Sequence, residues 1–560
     1  MEKQFKYSLS TIIKRLLNFA RPIKSYLIIS TLASIIGNLS HIGLMGFGSL
    51  YLLSLTGYLN TNPDKWLILT IISASLIAIC RYLEGVYSHI GAYGVLASLR
   101  VHLFSIIDRI SPAFLIDHKK GDLMSIAIND IETLEYFFAH TIGPMFTVII
   151  LPLVTLIVAY QIHPYYFMVL LPLFILISIV IPLIALKAGN NIGMNYRKSL
   201  GELKSLVLES VYGIRDIQIY NNGEKRLEKI LNENEIVNKA SHGLTLHQQI
   251  LSSVPNFFIY IARILIIVVS AYLISINQNN PSGIILISFV AAASFSSTFS
   301  LTFVVTHLLE TFAAAKRIFI IEDTIPTVNQ KETTQTCGEI QNIKFNNVSF
   351  TYPNTDVEVL KNLNFEIKKG DKIGIFGPSG IGKSTLFRLL LRFYDPNFGT
   401  ISFNHIDLKD LSFNEIYQRI GMLEQETYLF DDTIFNNIAL AKEGASLDEV
   451  KKAAKKAGIA SLIDTLPKGY HTEMGQMASR LSGGEKQRIG IARIMLACPD
   501  IIVMDEPTSA LDVFHEKELL HTLKTEYSDA TWLIISHRMS TLTCCNRLYK
   551  LENGQLVQIN

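Results

Sequence analysis

Gly377-Pro378-Ser379-Gly380-Ile381-Gly382-Lys383-Ser384-Thr385 is the stretch that decides the fold of the C-terminal part of this chain. The apolar run Lys372–Phe376 leads straight into it and reads as a short buried strand. Thr385–Arg392 reads as the helix that follows. Strand, glycine-rich turn and helix are the context a phosphate-binding loop requires. Glycines let backbone N–H groups turn inward on phosphate oxygens, and the helix N-terminus adds a favourable dipole. Lys383 is expected to reach the β- and γ-phosphates of a nucleotide, and Ser384 to ligate Mg²⁺.

Two further strings narrow the reading. Leu481-Ser482-Gly483-Gly484-Glu485 lies about a hundred residues downstream, followed by the apolar run Ile501-Ile502-Val503-Met504 ending in Asp505-Glu506. In that order the three motifs resemble an ATP-binding-cassette protein, and the resemblance covers Ile343–Val557. It implies an α/β P-loop cassette that binds and hydrolyses ATP with Mg²⁺. Asp505 is expected to hold the metal through its hydration shell, and Glu506 to polarise the attacking water. Other positions match the family one by one. Tyr352 resembles the residue that stacks on adenine. Gln425, in Met422-Leu423-Glu424-Gln425-Glu426, resembles the glutamine that senses both metal and membrane domain. Ser509-Ala510-Leu511-Asp512 resembles the loop that crosses to a partner. His537, after the strand Trp532–Ile535, resembles the histidine that contacts the γ-phosphate. In this family Ser482, Gly483 and Gly484 open a helix that binds the γ-phosphate of ATP held by the other cassette. One chain carries one loop and one signature, so the resemblance implies a dimer.

The rest of the chain is of another character. Of 560 residues 49% are hydrophobic and 18% charged, and the mean hydropathy is +0.31. That length calls for at least two domains, and that composition sits on the membrane side of a soluble average. A net charge of +2 gives no reason to expect nucleic acid. Six apolar segments, Tyr26–Leu55, Trp66–Tyr87, Phe137–Ile162, Tyr165–Leu186, Ile250–Ile276 and Ile284–Leu308, each meet the roughly 20-residue span of a bilayer core. The links at Thr56–Lys65, His163–Pro164 and Asn277–Gly283 are short and nearly uncharged. Ser88–Tyr136 and Lys187–Gln249 are long and rich in Lys and Arg, which places them and the N-terminus in the cytoplasm. Helical stretches at Pro112–Lys119 and Gly213–Ile219 lie at the far ends of these loops, where contact with the ATPase is expected. Lys3–Lys24 is basic and amphipathic, and no cleavable signal peptide is expected.

The expected architecture is therefore an α-helical transmembrane domain of six helices, residues 1–322, a linker over 323–339, and the cassette over 340–560. Six helices, two long inner loops and a C-terminal cassette resemble the ABC exporter half-transporter. This implies a multi-pass protein of the bacterial plasma membrane with its cassette in the cytoplasm. Cassettes of the family commonly continue into a terminal helix beyond the point where this sequence stops, Leu556–Asn560, which leaves C-terminal dimer contacts open. Cys80, Cys337, Cys498, Cys544 and Cys545 show no metal spacing and read as reduced or structural.

The membrane half carries the specificity. Arg81 and Glu84 stand i, i+3 in the second segment, followed by His89. Arg263 sits within the fifth, and His307 and Glu310 end the sixth. Charge within a membrane is costly and faces a polar path or a partner. Arg81–Glu84 reads as a structural ion pair or part of such a path, and Arg263 as a substrate contact or a link between helices. His89 reads as a ligand-binding imidazole or as a side chain snorkelling to the surface.

The string Arg81-Tyr82-Leu83-Glu84-Gly85-Val86-Tyr87-Ser88-His89 is similar to the Arg-Tyr-Phe-Glu-Arg-x-x-Ser-His pattern of the CydC family. Ile110-Ser111-Pro112-Ala113, Leu123–Thr133 and Thr306-His307-Leu308 also resemble that family. This implies a CydD-like partner and ATP-driven export of glutathione or cysteine, or of haem, in support of cytochrome bd assembly, with His89 as the haem position. Gly85 stands where the pattern has its second arginine. Two other readings stay open: a lipid, drug or peptide exporter, and a haem- or redox-sensing membrane ATPase. No cysteine peptidase precedes the membrane segments, which argues against a peptide-processing exporter.

Overall fold

The computed structural model describes residues 7–117, 120–276, 281–329, 335–353, 355–475, 481–508, 513–526 and 530–559. They form two compact units. The first comprises Met1–Arg109 and His118–Thr324, and the second Ile110–Asp117 with Ile325–Asn560.

The first unit is helical. Lys24–Leu55, Pro63–Ile110, Ile142–Ile162, Pro164–Ile175, Gly223–Ser275 and Pro281–Glu322 carry the six apolar segments. Several run well past the bilayer span, so Pro63–Ile110 has 48 residues and Gly223–Ser275 has 53. Five spans are long and apolar enough to cross a membrane, and the sixth helix holds a shorter apolar stretch, Pro281–Phe295, among the described residues. The link Ser88–Tyr136 is thus helix as far as Ile110, because no proline or glycine pair breaks the run. Ile68, Ile71, Ile72 and Ile79 are exposed along one helix, and Ile264, Ile267 and Val268 along another. Water would not tolerate such bands, whereas lipid does. Inward packing is tight. The Phe174 and Phe295 rings stack at 4.5 Å, and Tyr166 and Ser270 share a buried 2.8 Å hydrogen bond.

A short amphipathic helix, Leu9–Phe19, precedes the first span, capped by the Ser8 hydroxyl. Its Arg15 donates to Glu322 at 2.5 Å and to Asp323 at 2.6 Å, and lies 4.3 Å over the Phe319 ring. Tyr7 also donates to Asp323. Burial, with the bond to Asp323, pushes the Tyr7 hydroxyl up to about 12. The Arg15 guanidinium holds the Asp323 carboxyl below its ordinary value.

Among its described residues the second unit holds ten strands: β1 (Asn342–Thr351), β2 (Glu358–Lys368), β3 (Lys372–Phe376), β4 (Phe398–Phe403), β5 (Ile406–Asp407), β6 (Ile420–Leu423), β7 (Ile501–Asp505), β8 (Thr531–Ile535), β9 (Arg547–Glu552) and β10 (Gln555–Gln558). An antiparallel sheet runs β2-β1-β4-β5, and a second sheet runs β10-β9-β3-β8-β7-β6. Every pairing from β9 to β6 in the second sheet is parallel. Its strands read as unbroken apolar runs because both faces are covered. Ile501, Val503, Leu533 and Ile535 enter one apolar cluster, while Ile502, Met504, Trp532 and Ile534 enter the other. Ala113, from the Ile110–Asp117 segment, belongs to the first of these clusters.

Candidate ATP site and membrane polar cluster

Four neighbouring parallel strands, β3, β8, β7 and β6, bring their carboxyl ends to one edge of the sheet. Ligand sites of open α/β sheets lie at that edge. The loop Gly377–Thr385 follows β3, His537 follows β8, Asp505 and Glu506 end β7, and Gln425 follows β6. Four segments up to 160 residues apart in sequence converge because the strand order is not the chain order.

The loop has the geometry its glycines permit. Gly380 and Gly382 have φ of +82° and +110°. A Cβ at Gly382 would lie 2.4 Å from Val359 Cγ1, so only glycine fits there. Gly380 faces open space. The helix Lys383–Leu390 has Gly382 as its N-cap and starts and ends two residues earlier than the sequence reading of Thr385–Arg392. Pro378, Ser379 and Ile381 complete the turn. Lys383 is 6% exposed, and its Nζ donates to Gly377 O at 2.7 Å and Pro378 O at 2.8 Å. A buried ammonium held by neutral carbonyls at a loop mouth favours an anion.

Ser384 Oγ donates to Asp505 Oδ2 at 2.9 Å. A hydroxyl and a carboxylate side by side form a hard-oxygen pair of the kind Mg²⁺ takes, so the residues present fit the ion the cassette motifs imply. Burial pushes the Asp505 carboxyl up, the bond from Ser384 draws it back, and the neighbouring Glu506 pushes it up again. Glu506 adopts φ +48°, an uncommon conformation for a residue with a side chain. Its N–H donates to Ile535 O at 2.9 Å, and its Oε1 lies 3.2 Å from His537 Nδ1. Tyr352 is tied to the loop: its hydroxyl lies 2.9 Å from Thr385 Oγ1 and accepts from Arg388 at 2.9 Å. Gln425 is exposed, and its carbonyl accepts from Gln487 Nε2 at 3.4 Å.

Ser482 caps the helix Gly483–Ala497. Its hydroxyl accepts from Glu485 N at 3.3 Å, while Glu485 Oε2 accepts from Ser482 N at 2.7 Å. This capping box presents an ordered helix N-terminus. Ser482 and Gly483 are exposed and Gly484 is half-buried, so the dipole and free amides face outward. Ser509–Asp512 lie outside the described residues.

Sequence reading missed a buried carboxylate beside this edge. Glu516 is 3% exposed. It accepts from Ser540 at 3.0 Å and Thr541 at 2.7 Å, and Arg538 lies 3.5 Å away. Arg538 also donates to Thr508 O at 3.1 Å. The network joins the segment after Glu506 to the segment after His537. The available signal was its spacing: Glu516 stands i, i+3 and i, i+4 from Leu519 and Leu520, on the buried face of the helix Val513–Glu526.

In the membrane unit Arg81 Nη1 donates to Glu84 at 2.9 Å, and Nη2 to Asn38 at 3.0 Å. Arg263 lies 5.4 Å from the Tyr260 ring, and Glu310 pairs with Arg197 at 3.1 Å. His89 Nδ1 lies 3.0 Å from Glu135 Oε1. The His140 ring meets His89 edge-on at 5.2 Å, and His307 stacks on Tyr136 at 4.0 Å. Glu135 and His140 had no signal in hydropathy, because their importance rests on what they face.

Known proteins carry the same patterns. The family model of the ABC transporter matches residues 360–509, and that of the ABC transporter transmembrane region matches residues 27–299. A probable ABC transporter ATP-binding/permease protein of Haemophilus influenzae is 32% identical over 94% of this chain and 97% of its own. An ATP-dependent lipid A-core flippase of Syntrophus aciditrophicus is 30% identical over 90% and 84%. The glutathione/L-cysteine transport system ATP-binding/permease protein CydC of Escherichia coli is 27% identical over 85% and 83%. Among solved structures, a bacterial Atm1-family ABC exporter with ATP bound superposes with a TM-score of 0.82 at 22% identity, covering 96% of this chain and 94% of the other.

Proposed function

This chain belongs to the ABC transporter family and is an ATP-hydrolysing exporter with a multi-pass membrane domain; on that premise we propose that it is one half of a dimer that exports glutathione, cysteine or a related small thiol from the bacterial cytoplasm across the plasma membrane. The domains are proposed as 1–322, 323–339 and 340–560.

The observation that carries the catalytic part is the convergence of Lys383, Ser384, Asp505, Glu506, His537 and Gln425 on one sheet edge. Gly377–Thr385 wraps the phosphates, and Lys383 supplies charge against the β- and γ-phosphates. Ser384 and Asp505, with Gln425, hold Mg²⁺. When bound, that ion neutralises charge developing on the transferred phosphoryl group. Glu506 orients and polarises the attacking water, and His537, held beside it, faces the γ-phosphate. Tyr352 lies against the adenine side of the loop. Ser482, Gly483 and Gly484 face outward to close on the nucleotide of a second chain, so hydrolysis requires two cassettes.

The substrate rests on two supports. One is the Arg81–His89 string with Thr306-His307-Leu308; the other is a relative named for glutathione and L-cysteine transport that aligns over 85% of the chain. The partner on this reading is a CydD-like half-transporter, and the complex supports cytochrome bd assembly. The haem part of the resemblance rests on His89 alone. A second reading, lipid flipping, is favoured by the lipid A-core flippase relative at 30% identity.

Inverted vesicles holding this chain with its partner separate the two. ATP-dependent uptake of labelled glutathione or cysteine, abolished by Glu506→Gln, is expected. ATP-dependent movement of a labelled lipid between leaflets without thiol uptake would overturn the thiol reading. ATP hydrolysis with neither would leave a sensing ATPase.

A further inference from the structure

His89, Glu135 and His140 place three donor atoms of metal-binding type within 4.8 Å of one another. They come from two helices, Pro63–Ile110 and Glu135–His140, 46 residues apart at the closest pair. From this juxtaposition we infer that the membrane unit binds a divalent transition-metal ion through His89, Glu135 and His140.

Geometry is the first support. Ligands about 2.1 Å from one tetrahedral ion lie about 3.4 Å from each other. His89 Nδ1 and Glu135 Oε1 stand at 3.0 Å, and the donors of all three residues lie within 4.8 Å of one another, so a small side-chain movement brings the third to ligand spacing. An isolated His–Glu ion pair accounts for two of these residues. It does not account for His140, whose ring is set edge-on to His89 at 5.2 Å and against Tyr136 at 4.9 Å.

Chemistry is the second. Two imidazoles and a carboxylate suit Zn²⁺, Ni²⁺, Cu²⁺ or Fe²⁺ and do not suit Mg²⁺ or Ca²⁺. Neutral imidazoles with one carboxylate leave a net charge of +1 on the bound ion. Three protein ligands leave a fourth position open. His89 and Glu135 are half-buried and His140 is exposed, so that position is open to an incoming small ligand. The inference stands on this cluster and does not depend on the thiol reading.

The test uses full-length protein in detergent, purified on a tag without histidine and stripped with a chelator. Co²⁺ is titrated as a visible-absorption probe, then displaced by Zn²⁺, with bound metal counted by elemental analysis. One equivalent per chain is expected. Glu135→Gln, which keeps the side chain's shape, and His140→Ala should each weaken binding about tenfold or more. His242→Ala, an exposed histidine elsewhere, should bind as the parent does. Size-exclusion profile and thermal melting show that each variant is folded. Uptake far below one equivalent, or equal uptake in all variants, overturns the site. So does haemin binding with a Soret band that His89→Ala removes while stripped protein takes up no metal ion.

Discussion

The Oε1 of Glu506 and the Nδ1 of His537 lie 3.2 Å apart at the ends of adjacent parallel strands. The left-handed backbone at Glu506, φ +48°, turns its carboxylate out of the strand. The Glu506 N–H is bonded to Ile535 at 2.9 Å, which fixes that turn against the strand leading to His537. A general base must be aimed before its basicity matters, and in the proposed role of Glu506 main chain would set that aim.

Glu506→Gln should bind ATP as the parent protein does and hydrolyse it about 10²–10⁴ times more slowly. Single-turnover hydrolysis of radiolabelled ATP at this site measures it. A parental rate would remove Glu506 from the role of base.

The acid limb of Mg²⁺-dependent hydrolysis should lie above the ordinary carboxylate value of about 4. Burial raises the Asp505 carboxyl, so as pH falls it takes up a proton early and loses its hold on the metal. Added Mg²⁺ should move the limb back down, since the metal binds the deprotonated form. Ser384→Ala removes a bond that favours the charged carboxylate and should shift the limb upward. A limb unmoved by Mg²⁺ would separate it from Asp505.

Ser482→Arg should silence hydrolysis of ATP bound at the partner chain's loop, not of ATP bound at Lys383. The arginine would occupy the exposed helix N-terminus where a facing phosphate docks. Lys383→Ala should do the reverse. Trapped nucleotide assigned to each chain of the complex reads the difference. For Ser482→Arg, loss confined to that chain's own loop would contradict a shared site.

Glu516→Ala should lower stability by about 2–4 kcal/mol, because it strips the acceptor from two hydroxyls and leaves Arg538 without its carboxylate. Glu516→Gln keeps the shape and should lose less. Thermal unfolding of the full chain followed by tryptophan fluorescence is a suitable readout, since Trp532 is fully buried in the same unit. Melting of Glu516→Ala at the parental temperature would show that the network carries no load.

Arg15→Ala should destabilise the membrane unit by about 1–2 kcal/mol, between the values of exposed and buried pairs. It removes the guanidinium from Glu322 and Asp323, leaving Glu322 only His102 and Asp323 only the Tyr7 hydroxyl among the partners described. The Asp323 carboxyl is held below its unfolded value, so its contribution is complete above about pH 4 and is lost as pH falls through the folded value. The gap in melting temperature between parent and variant should therefore narrow in acid. A constant gap would assign the effect to packing on Phe319.

Much of the cassette was legible in one dimension. Lys372–Phe376 was read as a strand to the residue, and the loop after it as phosphate-binding, because glycine spacing and apolar runs act within a few residues of chain. The six apolar segments were legible for the same reason: a bilayer imposes a length that composition alone reveals. Where each helix ends past the bilayer, Ile110 for the second, came from the structure. Tertiary structure decided everything that joins distant segments. Ser384 meets Asp505 across 121 residues only because β3, β8 and β7 lie side by side out of chain order. Glu516 gained its hydroxyl partners, and His89 its neighbours Glu135 and His140, by packing of whole elements. Local sequence determines which conformations a segment can adopt, whereas which side chains then face one another depends on burial shared by the entire fold.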